Sequence, residues 1–429
     1  MRTDRLSRKI LALLLALLTL LPLVSCSKAT PDETAAPTGA ETTAEITAAE
    51  TTTVETTAAE PAKYTVRLNA PSNTAIHTDL QASYLADPDP LSVRNYLRPA
   101  YTAQSASYDD NPGTIEFGHP TTVTLSWAVE TALSESDLRA FTLRIWRGSH
   151  AGRATIMESF SKTTKSYVLS NLMIGETYFW SVTAIDADGV SYPSELASFQ
   201  TDAQGPRNLT VDGVTNVRDL GGWATADGGR VRQGLMFRGS KLVANNSKTN
   251  VLVTQAGIKT LRDEFGIKTE IDLRLKSKLG GLTASPLGQT VAFYNCPMDD
   301  DASLFFTADN NLQSIRDVFA ILADEANYPI YFHCSIGTDR TGVIAWLVNG
   351  LCGVSENDLW RDYLFSNFGL INGKRSTGIK TSYVDRLKAA QGSTFSEKIY
   401  NYLKDTVGIP ETHLQAVIRI MKEPAATNP

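Results

Sequence analysis

The alternation of apolar and polar positions divides the chain into four stretches of different character. Residues 10–24 are apolar apart from Thr19 and Pro22, and they follow Arg2, Arg5, Arg8 and Lys9. A run of about 15 residues is short of the roughly 20 that a helix needs to cross a bilayer. With its basic flank it predicts the core of an export signal. Residues 27–63 are nearly all Thr, Ala, Glu and Pro, with Ile46 and Val54 as the larger apolar positions. Such a stretch cannot bury enough surface to offset its ordering entropy, so a disordered tether averaging roughly 33 Å as a coil is expected.

Between Thr121 and Thr201 the pattern turns to short β-branched and aromatic runs: residues 122–127, 140–146, 167–171, 178–184 and 197–201. Their spacing and period of two predict a β-sandwich. Residues 64–69 read as a further strand, and residues 70–111 fit no clean pattern and are assigned as an elaboration of the sandwich. After Gln204-Gly205-Pro206, strands alternate with helices. Strands are predicted at 234–238, 267–273, 291–296 and 329–333. Helices are predicted at 247–265 with Ser247 as N-cap, 311–325, 341–351, 356–365, 382–390, 396–406 and 411–421. That order predicts an α/β layer with a mainly parallel central sheet and a helical C-terminal part.

Composition narrows the function. With 42% hydrophobic and 20% charged residues the chain can build cores. A net charge of −6 and the lack of His/Cys clusters at zinc-finger spacing exclude nucleic acid as an expected partner. Four cysteines, Cys26, Cys296, Cys334 and Cys352, cannot form a dense disulfide framework in 429 residues. Cys352 follows an apolar helix and reads as core. Cys296 ends a strand and is either core or a resolving partner for an oxidised Cys334. In the sandwich, His119 and His150 read as surface residues, and Trp127, Trp146 and Trp180 read as core rather than as a carbohydrate platform. A spacer or adhesion role is expected there, with any surface or glycan ligand unspecified.

The chemistry concentrates where the strand 329–333 runs through Cys334-Ser335-Ile336-Gly337-Thr338-Asp339-Arg340 directly into a helix. Strand, short cradle and helix N-terminus form an anion-binding geometry, because unpaired amides and the helix dipole point at the loop centre. Ser335, Ile336, Gly337, Thr338, Asp339 and Arg340 are the expected phosphate-binding residues. A thiolate at Cys334 in that field is a nucleophile near neutral pH, and Arg340 suits two equatorial phosphate oxygens at once.

Three resemblances add to this reading. Leu23-Val24-Ser25-Cys26 resembles the bacterial lipobox, which implies cleavage before Cys26, its diacylation and a lipid anchor on the outer face of the bacterial membrane; a plain secretory signal is the alternative. Leu172-x-x-Gly175-x-x-Tyr178 and Trp127 resemble the tyrosine corner and core tryptophan of fibronectin type III domains. His333-Cys334-x-x-Gly337-x-x-Arg340-Thr341-Gly342 matches the cysteine-based tyrosine phosphatase signature. Asn216-Val217-Arg218-Asp219-Leu220-Gly221-Gly222, the run 234–239, Ile271-Asp272-Leu273-Arg274 and the run 362–367 resemble the bacterial branch of secreted tyrosine and lipid phosphatases.

The implied organisation is a signal peptide at 1–26, a tether at 27–63, a fibronectin type III-like domain at 64–204, a phosphatase domain at 205–424 and a tail at 425–429. The implied chemistry is a cysteinyl-phosphate intermediate on Cys334 with Arg340 on the phosphoryl group, and no metal or cofactor. His333, Thr341, Asp272 and Arg274 are supporting residues. For the general acid, Asp339 competes with the run Asp299-Asp300-Asp301. Members of the branch usually carry Lys where this chain has Thr338, which shifts the expected substrate from phosphoinositides or inositol phosphates toward phosphotyrosine. An adhesion lipoprotein with a merely structural phosphatase fold is the non-enzymatic alternative.

Overall fold

The computed structural model describes residues 62–131, 135–148, 156–243, 252–379 and 383–425. The predicted export signal, Cys26, most of the tether, His150 and Ser247 lie outside them. Residues from Pro61 onward form one compact unit.

Its first strand, β1 (Thr65–Asn69), is followed by helices α1 (Asp79–Ala86) and α2 (Val93–Ala103). Then come β2 (Val123–Glu130), β3 (Leu138–Arg147), β4 (Ile156–Ser161), β5 (Ser166–Leu169), β6 (Thr177–Asp186), β7 (Ser191–Pro193) and β8 (Ala197–Gln200). Two antiparallel sheets result, β1-β2-β5 and β4-β3-β6-β7, with β8 also paired to β6. Along β6 burial alternates strictly, so Tyr178, Trp180, Val182 and Ala184 face inward. They share one core with Trp127, Phe141 and Leu143. The Tyr178 hydroxyl accepts from the Met173 amide at 2.9 Å, which ties the chain to the start of β6.

The segment between β1 and β2 packs otherwise than as an elaboration of this sandwich. Tyr84, Leu85, Val93, Leu97, Tyr101 and Tyr108 are buried in the core of the C-terminal half, and the Tyr84 ring lies 5.6 Å from that of Phe368. Val93, Leu97 and Tyr101 form one helical stripe at a spacing of four. Pro99 sits inside the same helix, which breaks the pattern as read from sequence.

The C-terminal half comprises β9 (Arg218–Asp219), β10 (Arg230–Val231), β11 (Met236–Gly239), α3 (Gln255–Lys259), β12 (Thr269–Asp272), β13 (Ala292–Asn295), α4 (Asp309–Leu322) and β14 (Ile330–His333). It continues with α5 (Asp339–Leu351), α6 (Glu356–Leu364), α7 (Asp385–Ala389), α8 (Phe395–Asn401), α9 (Glu411–Met421) and β15 (Lys422–Glu423). The sheet order is β13-β12-β14-β11-β9, parallel except for the edge strand β9. Central β14 is buried at every position, as its unbroken apolar run requires. From Arg340 to Leu351 α5 is buried too, enclosed by α6, α8 and α9. The loop 334–338 thus leaves the middle of the sheet and enters a helix buried along nearly its whole length.

Arg207 joins the two halves. Its guanidinium donates to the carbonyls of Asn171 and Leu172 and pairs with buried Asp219 at 2.8 Å. Asp219 also accepts from the amides of Gly221 and Gly234, at 2.8 and 2.6 Å.

Candidate active site

The loop between β14 and α5 is held from behind by its carbonyls. Asn216 Nδ2 donates to the carbonyls of Ile336 (3.0 Å) and Gly337 (3.1 Å), and Arg238 Nη2 donates to that of Gly337 at 2.8 Å. Drawing the carbonyls toward these donors turns the amides the other way. The amides of Ser335, Ile336, Gly337 and Thr338 find no acceptor among the described residues, which leaves them for an anion. Gly337 has φ +71°, and a Cβ there would stand 2.4 Å from the Gly239 carbonyl, so this turn requires glycine.

Behind the loop, Asp362 at the end of α6 bridges two buried arginines. Arg218 Nε meets one carboxylate oxygen at 2.9 Å and Arg238 Nη1 meets the other. Burial alone would raise the Asp362 pKa, and the two guanidinium charges outweigh it and hold it below the usual range. Asn216, Arg218, Arg238 and Asp362 all come from strings that the sequence marked as motif. Their shared task is to fix one loop.

Cys334 is buried at the mouth of α5. Burial pushes its thiol up, but the Arg340 charge and the Thr341 hydroxyl and amide more than reverse this, bringing the pKa from 9.0 to about 7. The buried Thr341 hydroxyl has no nitrogen or oxygen partner among the described residues, which leaves it available to the sulfur. Arg340 makes two long contacts, to the Met298 carbonyl and to Ser335 Oγ, both at 3.4 Å. Among the described residues it has no carboxylate partner. A guanidinium kept near a thiolate and unneutralised is placed to receive a dianion.

Asp339 is occupied. Arg375 Nε and Nη2 reach its two oxygens at 2.8 and 2.7 Å, the Tyr363 hydroxyl donates to one at 3.1 Å and Thr338 Oγ1 to the other at 3.1 Å. Burial raises its pKa, and Arg375 with these hydroxyls lowers it further than burial raises it. Arg375 also donates to Thr338 Oγ1 at 3.1 Å. It went unrecognised in the sequence because Gly373-Lys374-Arg375 is a loop without a motif.

The acidic run follows β13. Met298, whose carbonyl contacts Arg340, immediately precedes Asp299, which is half-buried and whose Oδ1 accepts from the Asp301 amide at 3.2 Å. Asp301 instead caps the next turn, accepting from the Ser303 amide and hydroxyl at 2.9 and 2.7 Å. Asp300 is exposed.

His333 is fixed at both ring nitrogens, by the Cys334 carbonyl at 3.0 Å and by Glu270 at 2.9 Å. Burial pushes its pKa down, and Asp272 and Glu270 outweigh it, leaving it raised. Asp272 is bound by Arg274, whose Nε lies 2.9 Å from both carboxylate oxygens, and the Leu273 amide donates to the His333 carbonyl at 2.8 Å. Glu270, Asp272 and His333 lie close enough to ligate an ion. With Arg274 on Asp272 and Ser285 on Glu270, they serve as an ionic brace for β14. Burial pushes the thiols of Cys296 and Cys352 up to about 12, which makes both poor redox partners.

A protein of Cupriavidus necator whose name is that of a tyrosine-protein phosphatase is 27% identical over 243 residues, covering 49% of this chain and 88% of its own. Among solved structures, the core catalytic domain of the PP-IP phosphatase SIW14 from S. cerevisiae, in complex with citrate, is 14% identical. It covers 47% of this chain and 91% of that one, with a TM-score of 0.27. A myokine structure is 24% identical over 19% of this chain and 82% of its own, with a TM-score of 0.15. A family model described as the tyrosine phosphatase family matches residues 209–425, half of the sequence, and the chain belongs to that family.

Proposed function

We propose that this phosphatase is a cysteine-dependent phosphomonoesterase acting on phosphotyrosine at the outer face of a bacterial membrane, anchored there through Cys26. The observation that carries the chemistry is Cys334, brought to a pKa of about 7 beside the unneutralised Arg340 and the open amides of the loop. Cys334 Sγ attacks phosphorus in line while the P–O bond to the leaving oxygen breaks. The amides and Arg340 hold the equatorial oxygens. Water then attacks phosphorus, the P–S bond breaks, and phosphate and the thiolate are released.

The leaving oxygen needs a proton. We assign its donor as Asp299, because Arg375 holds both oxygens of Asp339 and keeps that carboxyl ionised. Nearness to the sulfur favours Asp339 as the second reading, since its charge is felt by the Cys334 thiol. Thr338, which adds no charge to the cradle, supports phosphotyrosine over phosphoinositides.

The test is hydrolysis by the purified protein of phosphotyrosine peptides, phosphoserine peptides, phosphoinositides and inositol phosphates, beside Cys334→Ser. Phosphotyrosine should be the preferred substrate, and the variant should keep less than about 1% of the activity. Anchoring is tested by Cys26→Ala, which should move the protein out of the membrane fraction.

A further inference from the structure

Arg375, which contacts Thr338 and Asp339 of the cradle, also lines a cleft of about 310 Å³. Its other walls come from parts of the chain far apart in sequence: Leu91, Val93 and Arg94 around the start of α2, Tyr108, Leu364 and the loop from Lys374 to Thr377. Helix α2 belongs to the segment between the first two strands of the sandwich. That segment therefore contributes to a surface that shares Arg375 with the cradle.

Apolar side chains and cations line the cleft together, and no carboxylate does. Arg375 is tied to Asp339. Arg94 shares the single carboxylate of Asp109 with Arg98, at 2.6 and 2.7 Å. Lys374 is exposed and has no ion-pair partner among the described residues. Positive charge thus exceeds negative here, although the whole chain carries −6. A local surplus against the global sign marks a place where an anionic partner gains and most of the surface repels. Leu91, 48% exposed, favours a partner with a side chain to bury over a fully hydrated polyanion.

We propose that this cleft binds the acidic flank of a phosphorylated peptide while its phosphotyrosine occupies the cradle. This deepens the phosphatase reading and rests on it. Arg375 links the two sites, contacting the loop through Thr338 and Asp339 and lining the cleft.

The test uses matched phosphotyrosine peptides with Asp/Glu or Ala next to the phosphotyrosine, and the full chain with and without Lys374→Glu. The wild type should show kcat/KM about five-fold higher for the acidic peptide, the size of an exposed charge contact or two, expressed in KM and reduced by salt. Lys374→Glu should bring that ratio to one or below. Fluorescence anisotropy of the same peptides on Cys334→Ser should give the same ratios without turnover. Failure to hydrolyse any phosphoester would sink the enzyme reading, whereas the binding ratio would still decide the cleft. A ratio of one in the wild type, or one that Lys374→Glu leaves unchanged, overturns the proposal. Tighter binding of inositol hexakisphosphate than of either peptide, lost in Lys374→Glu, would overturn it too and assign the cleft to a small polyanion.

Discussion

The guanidinium of Arg375 holds both carboxylate oxygens of Asp339, at 2.8 and 2.7 Å. A carboxylate engaged on both oxygens has little freedom to reach a leaving oxygen. Asp299→Asn should therefore slow phosphotyrosine hydrolysis by about 10²-fold or more while hardly affecting p-nitrophenyl phosphate, whose leaving group departs without a proton. Asp339→Asn should slow both substrates alike, because it frees Arg375 and loosens the loop. Steady-state rates on the two substrates decide the matter, and the reversed pattern would return the acid role to Asp339.

The thiol at about pKa 7 fixes a pH dependence. The reactive form is the thiolate, so inactivation by iodoacetamide should rise about tenfold per pH unit below 7 and level off above it. Arg340 supplies the largest effect lowering that pKa. In Arg340→Ala the midpoint of the alkylation profile should move upward, toward the ordinary thiol value. An unshifted midpoint would mean that Thr341 and the loop amides stabilise the thiolate alone.

The candidate site loop was legible because Cys334 to Arg340 is one contiguous stretch between an apolar strand and an apolar helix. The roles of Asn216, Arg218, Arg238 and Asp362 were not. Each lies in a recognisable string, but Asn216 and Arg238 reach the loop carbonyls, and Arg218 and Arg238 share Asp362, only after folding brings together positions 99 to 144 residues apart. Arg375 and its partner Asp339 are separated by 36 positions, and nothing in Gly373-Lys374-Arg375 marks the pairing. Helices α1 and α2 were missed for a different reason: Pro99 and the polar residues around them hid a stripe whose partner surface lies in the other half of the chain.

Asp362 neutralises two arginines that are both fully buried. In Asp362→Ala those guanidinium groups lose their counter-charge with no water to replace it, a cost of about 3–5 kcal/mol. Thermal melting should fall by about 10 °C. Activity should fall as well, since Arg238 would no longer be oriented to hold the Gly337 carbonyl. A melting temperature within a degree or two of the wild type would show that the triad is not a determinant of the loop.

The shared core bears on where this enzyme can be cut. A fragment of residues 205–425 contains the family's matched region, yet it lacks Tyr84, Leu85, Val93, Leu97, Tyr101 and Tyr108, all buried in that region's core. At about 1.5–3 kcal/mol for each buried apolar side chain, their loss is on the order of 10 kcal/mol, comparable with the whole stability of a domain. It would also expose Tyr108's partner Asn367, whose side chain holds the Arg375 backbone at 2.7 and 3.1 Å. The fragment 205–425 should therefore be insoluble or unfolded by circular dichroism, and the fragment 62–425 folded and active. If 205–425 instead melts cooperatively near the temperature of 62–425 with matching activity, α1 and α2 are a dispensable covering. The cleft beside Arg375 would then have lost one wall without consequence for the chemistry.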